Sequence, residues 1–187
     1  MSVSPAEALE RLKAGNLRFQ NNEPHTYVRV LEDFDVDPQS QDPFAAVLTC
    51  SDSRVVCEML FDTGIGDLFV ARLAGNIASP EALGSLEFAV NALGVNLILV
   101  LGHENCGAIK AAMSGESYAG HLEEVIGVIR PAVVGAPDYH AAILANIRQS
   151  IEVISRAPLL AARLASGSLA VSGGYYDLDS GSVRFLD

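Results

Sequence analysis

Three strand-length runs constrain this chain more than any other feature. Ala45 to Thr49 (AAVLT), Leu68 to Leu73 (LFVARL) and Asn96 to Leu101 (NLILVL) are almost continuously apolar. Runs of that length and character read as strands buried on both faces. The segments between them carry helix signals. Ser79-Pro80-Glu81 supplies a cap, a proline at the first helical position and an acid in the first turn. The helix it opens is expected to run to about Leu93, with Gly94 ending it. Val55 to Phe61, Ala108 to Met113, Leu122 to Arg130, Tyr139 to Arg156 and Pro158 to Ala165 also read as helices. Leu169 to Ser172 and Ser182 to Leu186 flank the turn signal Asp179-Ser180-Gly181, which predicts a terminal hairpin. Strands alternating with helices imply an α/β fold, with a mainly parallel sheet covered on both faces.

The chain begins with an amphipathic helix over residues 5–20, with Ala8, Leu9, Leu12 and Phe19 near one face. Asn21 to Pro43 follows, rich in Asn, Asp, Gln and Pro and without periodicity. It reads as an extended arm, and an arm of that length is expected to pack on a partner subunit. The 187 residues thus divide into an N-terminal helix and arm, 1–43, serving oligomer packing, and one α/β unit, 44–187. Hydrophobic residues make up 50% of the chain, which excludes wholesale disorder. A net charge of -11 argues against nucleic acid and anionic membranes as partners, since both require a basic face. No run reaches the roughly 20 apolar residues of a membrane span, and no secretory leader is visible. Three cysteines, an odd and small number, argue for a reducing, intracellular home rather than a disulfide scaffold.

Two segments carry the chemistry. Cys50-Ser51-Asp52-Ser53-Arg54 follows the first predicted strand, and His103-Glu104-Asn105-Cys106-Gly107 follows the third. In open parallel sheets, ligands bind outside the carboxyl ends of the strands. Two thiolates and an imidazole suit zinc. Cys50, His103 and Cys106 would leave one coordination position open, as catalytic rather than structural sites do. Asp52, beside Cys50, could ligate that position, accept a hydrogen bond at the metal, or pair with the donor fork of Arg54.

These two motifs resemble the paired signatures of the beta-class carbonic anhydrases. So do LKAGNLRF (12–19), GDLFV (66–70), AGN (74–76), GSLEFAV (84–90), LVLGH (99–103) and GGYYDL (173–178), so the likeness covers nearly the whole chain. The resemblance implies one Zn2+ per chain on Cys50, His103 and Cys106, with Asp52 and Arg54 as a catalytic dyad and Asp52 able to take the fourth zinc position. The expected fold is a mainly parallel four-stranded sheet with an antiparallel edge strand, helices on both faces and an N-terminal helical arm, which the resemblance implies is packed on a neighbour. The expected assembly is a homodimer or a multiple of one. The implied reaction is reversible hydration of carbon dioxide to bicarbonate and a proton, by attack of zinc-bound hydroxide oriented by the dyad. Two alternatives are hydrolysis of carbonyl sulfide or carbon disulfide on the same fold, and a non-catalytic zinc or bicarbonate sensor. The expected location is the cytoplasm, free or within a microcompartment. Val56 and Cys57 stand where many members have prolines, and the chain has no Trp, whereas some members bind an inhibitory second bicarbonate in a Trp-containing pocket.

The remaining candidates have plainer readings. Cys57 is expected to be a small core hydrophobe. Tyr175 and Tyr176 read as strand packing residues, and Gly64, Gly66 and Gly75 as turn residues. Glu32, Asp33, Asp35 and Asp37 read as a solvated stretch. His25, His121 and His140 are the imidazoles available to shuttle a proton, with His121 expected in solvent near a helix start.

Overall fold

The computed structural model describes residues 3–24 and 39–186. Most of the predicted arm, with His25 and the acids between Glu32 and Asp37, lies outside the described residues. The strands are β1 (Ala45–Thr49), β2 (Leu68–Arg72), β3 (Leu97–His103), β4 (Ala170–Tyr176) and β5 (Val183–Leu186). They form one five-stranded sheet in the order β2-β1-β3-β4-β5. The first four are parallel, and β5 pairs antiparallel with β4 at one edge. This is the α/β architecture expected, including the terminal hairpin.

The helices are α1 (Pro5–Gln20), α2 (Cys57–Leu60), α3 (Pro80–Asn91), α4 (Gly107–Ser114), α5 (His121–Val133), α6 (Tyr139–Ser155) and α7 (Pro158–Ala165). Local chemistry sets their starts. Ser79 Oγ accepts from the Ala82 N–H at 3.4 Å ahead of Pro80, and Asp138 Oδ1 accepts from the Ala141 N–H at 2.8 Å. Such caps contribute about 1 kcal/mol each. Alternation along the strands sorts side chains into two cores. Ala46, Leu48, Ile98 and Val100 meet α3 to α7 on one face, where Leu86, Ile109, Ile129, Ile143 and Leu160 are buried. Ala45, Val47, Leu97, Leu99 and Leu101 meet α1 and α2 on the other, through Ala8, Leu12 and Leu60.

Two strands run further than the apolar pattern predicts. β3 continues through Gly102 to His103, and β4 continues from Ser172 through Gly173 and Gly174 to Tyr176. The two extensions pair with each other, His103 opposite Tyr176. Glycine suits β4 here because α6 packs closely: a Cβ on Gly173 would lie 3.0 Å from both Ile147 Cγ2 and Leu186 Cδ1.

Strand order fixes where a site can form. From β1 the chain moves outward to β2, then returns across to β3 on the other side of β1. The order therefore reverses between β1 and β3, and the crevice at their carboxyl ends is the switch point where such sheets bind ligands. Cys50 leaves the end of β1, and His103 ends β3. Among the described residues, no helix is long and apolar enough to cross a membrane.

Candidate metal centre

The switch point brings together three side chains from the carboxyl ends of β1 and β3 and the start of α4. Cys50 follows β1 directly, His103 is the last residue of β3, and Cys106 caps the start of α4. One ligand atom from each lies within 4.8 Å of the others. The two Sγ atoms are 3.9 Å apart, and both cysteines are free thiols. All three residues are at most 5% exposed.

A cluster so buried needs a reason, since burying polar atoms without partners is costly. His103 supplies it. Its Nδ1 faces the carbonyl of Glu104 at 2.7 Å, and a carbonyl only accepts, so Nδ1 carries the proton. Nε2 is fully buried with no hydrogen-bond partner among the described residues, and in the neutral ring it holds a bare lone pair. A metal-ligating histidine presents this pattern, with one nitrogen fixed by a backbone carbonyl and the other turned to the ion. Two sulfurs on a tetrahedral zinc at about 2.3 Å each would be about 3.8 Å apart, close to the spacing here. The residues therefore fit a zinc ion.

The electrostatics of the pair agree. A hydrogen bond with Cys106 and the Gly75 N–H, 3.3 Å from Sγ, lower the Cys50 thiol against the cost of burial. Cys106 is pushed far up by that same hydrogen bond, by burial and by the Cys50 charge. The two sulfurs, 3.9 Å apart, are placed to share a proton. A dication that displaces it would find two sulfur donors already preorganised.

Asp52 and Arg54 stand beside the cluster. Arg54 Nε donates to Asp52 Oδ1 at 2.9 Å and Nη2 to Oδ2 at 2.8 Å, a two-pronged pair. The Arg54 N–H adds a third bond to Oδ1 at 3.0 Å. The Arg54 guanidinium holds the Asp52 carboxyl well below the usual carboxylate range. Asp52 Oδ2 lies 3.9 Å from His103 Nε2, so the carboxylate borders the cluster while Arg54 holds it.

Comparison with known proteins agrees with this geometry. A family model described as carbonic anhydrase matches residues 45–183. Carbonic anhydrase 2 of Mycobacterium tuberculosis is 35% identical, over 100% of this chain and 95% of that protein. The solved beta-carbonic anhydrase CcaA superposes with a TM-score of 0.74 at 28% identity, covering 96% of this chain and 95% of that one. One of two tetrameric beta-carbonic anhydrases from Sordaria macrospora superposes with a TM-score of 0.72 at 26% identity, covering 79% of this chain and 82% of the other. The chain belongs to the beta-class carbonic anhydrases.

In this carbonic anhydrase several residues that sequence reasoning did not single out hold the cluster in place. Arg72, at the end of β2, donates from Nε to the Cys50 carbonyl at 3.2 Å and from Nη2 to the Asp52 carbonyl at 2.7 Å. It clamps the backbone that carries both. Tyr139 Oη donates to the Cys106 carbonyl at 2.5 Å. The strand-end rule places Arg72 at the same edge of the sheet, but nothing in the residue types names its backbone acceptors. Gly75 sits in a turn, as expected, at φ 69°, and its N–H also faces Cys50 Sγ.

The plainer readings have direct outcomes. Cys57 is buried with its thiol pushed up to about 12, chiefly by that burial. His121 opens α5 with its side chain 96% exposed. His140 Nε2 lies 2.8 Å from Arg184 Nη2, and its ring packs edge-on against Tyr175. Tyr175 and Tyr176 are buried in β4.

Proposed function

We propose that this chain hydrates carbon dioxide reversibly to bicarbonate and a proton, using one zinc ion held by Cys50, His103 and Cys106. The observation that carries the reading is the buried Cys-His-Cys cluster with an ionised Asp52–Arg54 pair on its rim. Bound there, zinc supplies the Lewis acidity that makes a nucleophile from water at neutral pH. The protein supplies orientation and charge. His103 is locked by the Glu104 carbonyl with its lone pair inward. Asp52, kept ionised by Arg54, is an acceptor only, so it can accept a hydrogen bond from the attacking oxygen and fix its direction toward the substrate. Arg54 fixes the direction of that acceptor. Were Asp52 to leave Arg54, its carboxylate could occupy the fourth metal position and shut the site. The formed ion pair supports the open arrangement.

Self-association belongs to the same reading. Residues 1–43 act as a packing arm and 44–187 as the catalytic unit of a homodimer or a multiple of one. Two observations support it. Leu17 on α1 is 57% exposed although α1 also packs on its own sheet, and the related enzymes from Sordaria macrospora are tetramers. A monodisperse monomer in light scattering would contradict it.

The reaction is tested by offering zinc-loaded protein carbon dioxide, carbonyl sulfide and carbon disulfide in parallel. Fast hydration with negligible sulfide release is expected. Sulfide release outpacing hydration would assign the site to the sulfur substrates, and inertness toward all three would make the protein a binding module.

A further inference from the structure

Helix α6 packs mainly apolar residues inward: Ala142, Ile143, Ile147 and Ile154. Two polar side chains break that face, Asn146 and Ser150, which are 1% and 2% exposed. They are four apart, so they project together from adjacent turns. Both reach one target. Asn146 Nδ2 donates to the Gly75 carbonyl at 2.7 Å, and Ser150 Oγ donates to the Asn76 carbonyl at 2.9 Å.

That target is a single 3-10 turn, Ala74–Asn76, in an unusual conformation. Gly75 has φ 69° and Asn76 has φ 45°, two consecutive residues in the left-handed region. The first position favours glycine by its φ, and a Cβ there would also crowd Ile129 Cδ1 at 2.5 Å and Ala108 Cβ at 3.2 Å. A non-glycine residue in this region costs free energy and persists only when its surroundings over-determine it. The two α6 donors are part of what does so. Asn146 Oδ1 and Asn76 Nδ2, both buried, have no hydrogen-bond partner among the described residues. Helix and turn therefore each carry one unpaired polar atom here at a cost, which apolar residues would avoid.

The orientation they fix matters because of the other side of the same residue. Gly75 points its carbonyl at Asn146 and its N–H at Cys50 Sγ, 3.3 Å away. We infer that Asn146 and Ser150 are positioning residues for the metal centre, acting through the Gly75–Asn76 turn to aim one backbone N–H at the Cys50 sulfur. This rests on Cys50 being a metal ligand. An N–H directed at a thiolate withdraws charge from it and fixes its direction, and partners of that kind tune metal affinity. Neither side chain touches substrate or metal.

The test uses the full-length protein as Asn146→Ala and Ser150→Ala, with Leu160→Ala as a control. Leu160 is buried on α7, so its truncation lowers stability without touching the turn. Zinc affinity is read by competition with a chromophoric chelator. The cobalt-substituted protein is read by its near-ultraviolet thiolate-to-metal charge-transfer band. Each α6 variant is expected to lose about 10-fold in zinc affinity and to shift that band. Leu160→Ala should lower the melting temperature and leave affinity and band unchanged. Should Asn146→Ala fail to fold, Ser150→Ala, which removes a single hydroxyl, decides the matter. Wild-type affinity and an unshifted band in Ser150→Ala would overturn the inference. So would an equal loss in the control. A wild-type protein that gives no thiolate band with cobalt would instead overturn the metal reading itself.

Discussion

Cys50 and Cys57 lie on the same connection between β1 and β2, and both are at most 5% exposed, yet their chemistry is opposite. At Cys57 burial dominates, and the thiol is pushed up to about 12. At Cys50 hydrogen bonds, chiefly with Cys106, overcome burial and lower the thiol. The difference lies in what the sulfur meets. Cys50 stands at the strand-end crevice, facing Cys106 and the Gly75 N–H, with His103 beside it. Cys57 faces the core between α1, α2 and the sheet. Donors aimed at a sulfur favour its thiolate, whereas burial alone favours the neutral thiol.

The largest expected contrast is between Cys50→Ser and Cys57→Ala. The first should lose its zinc and drop hydration to the buffer rate. The second should keep one zinc per chain and full turnover, and lose about 1 kcal/mol of stability. Metal analysis and stopped-flow assay of both would break the comparison if the losses were alike. Next in size is Asp52→Asn, which keeps the shape and removes the charge held by Arg54. Zinc should stay bound while turnover falls on the order of 10–100-fold, and undiminished turnover would remove Asp52 from its assigned role.

Smaller effects appear without metal. In protein stripped of zinc, a thiol alkylating agent at neutral pH should label Cys50 well before Cys57, as read by peptide mass spectrometry. Cys57 should react only on unfolding. The smallest effect lies at alkaline pH. The Cys57 thiol has its value raised in the fold from the usual 9.0 to about 12. Its contribution to stability is therefore complete below pH 9 and is lost as pH rises toward 12. Denaturant unfolding across that window should show a shallower decline in Cys57→Ala than in wild type.

What could be read from the sequence follows from how local each cause is. β1 and the start of β3 were legible because burial on both faces demands continuous apolar runs. The end of β3 was not, because His103 breaks the run while its backbone still pairs with Tyr176. The two motifs were legible because their chemistry-bearing residues cluster at strand ends. Arg72, Asn146 and Ser150 were not, because each acts on backbone groups far away in sequence: Cys50 and Asp52 for Arg72, Gly75 for Asn146 and Asn76 for Ser150. A backbone acceptor leaves no mark in residue types, so only the packing of α6 and β2 against the site reveals it.

The central claim is that the Cys50–His103–Cys106 cluster holds the zinc on which hydration depends. The most direct measurement is stopped-flow carbon dioxide hydration on wild type and Cys106→Ser, with zinc content determined on the same samples. Wild type is expected to hold about one zinc per chain and to hydrate carbon dioxide rapidly, with both lost in Cys106→Ser. Rapid hydration by Cys106→Ser, or buffer-rate hydration by fully zinc-loaded wild type, would contradict the claim.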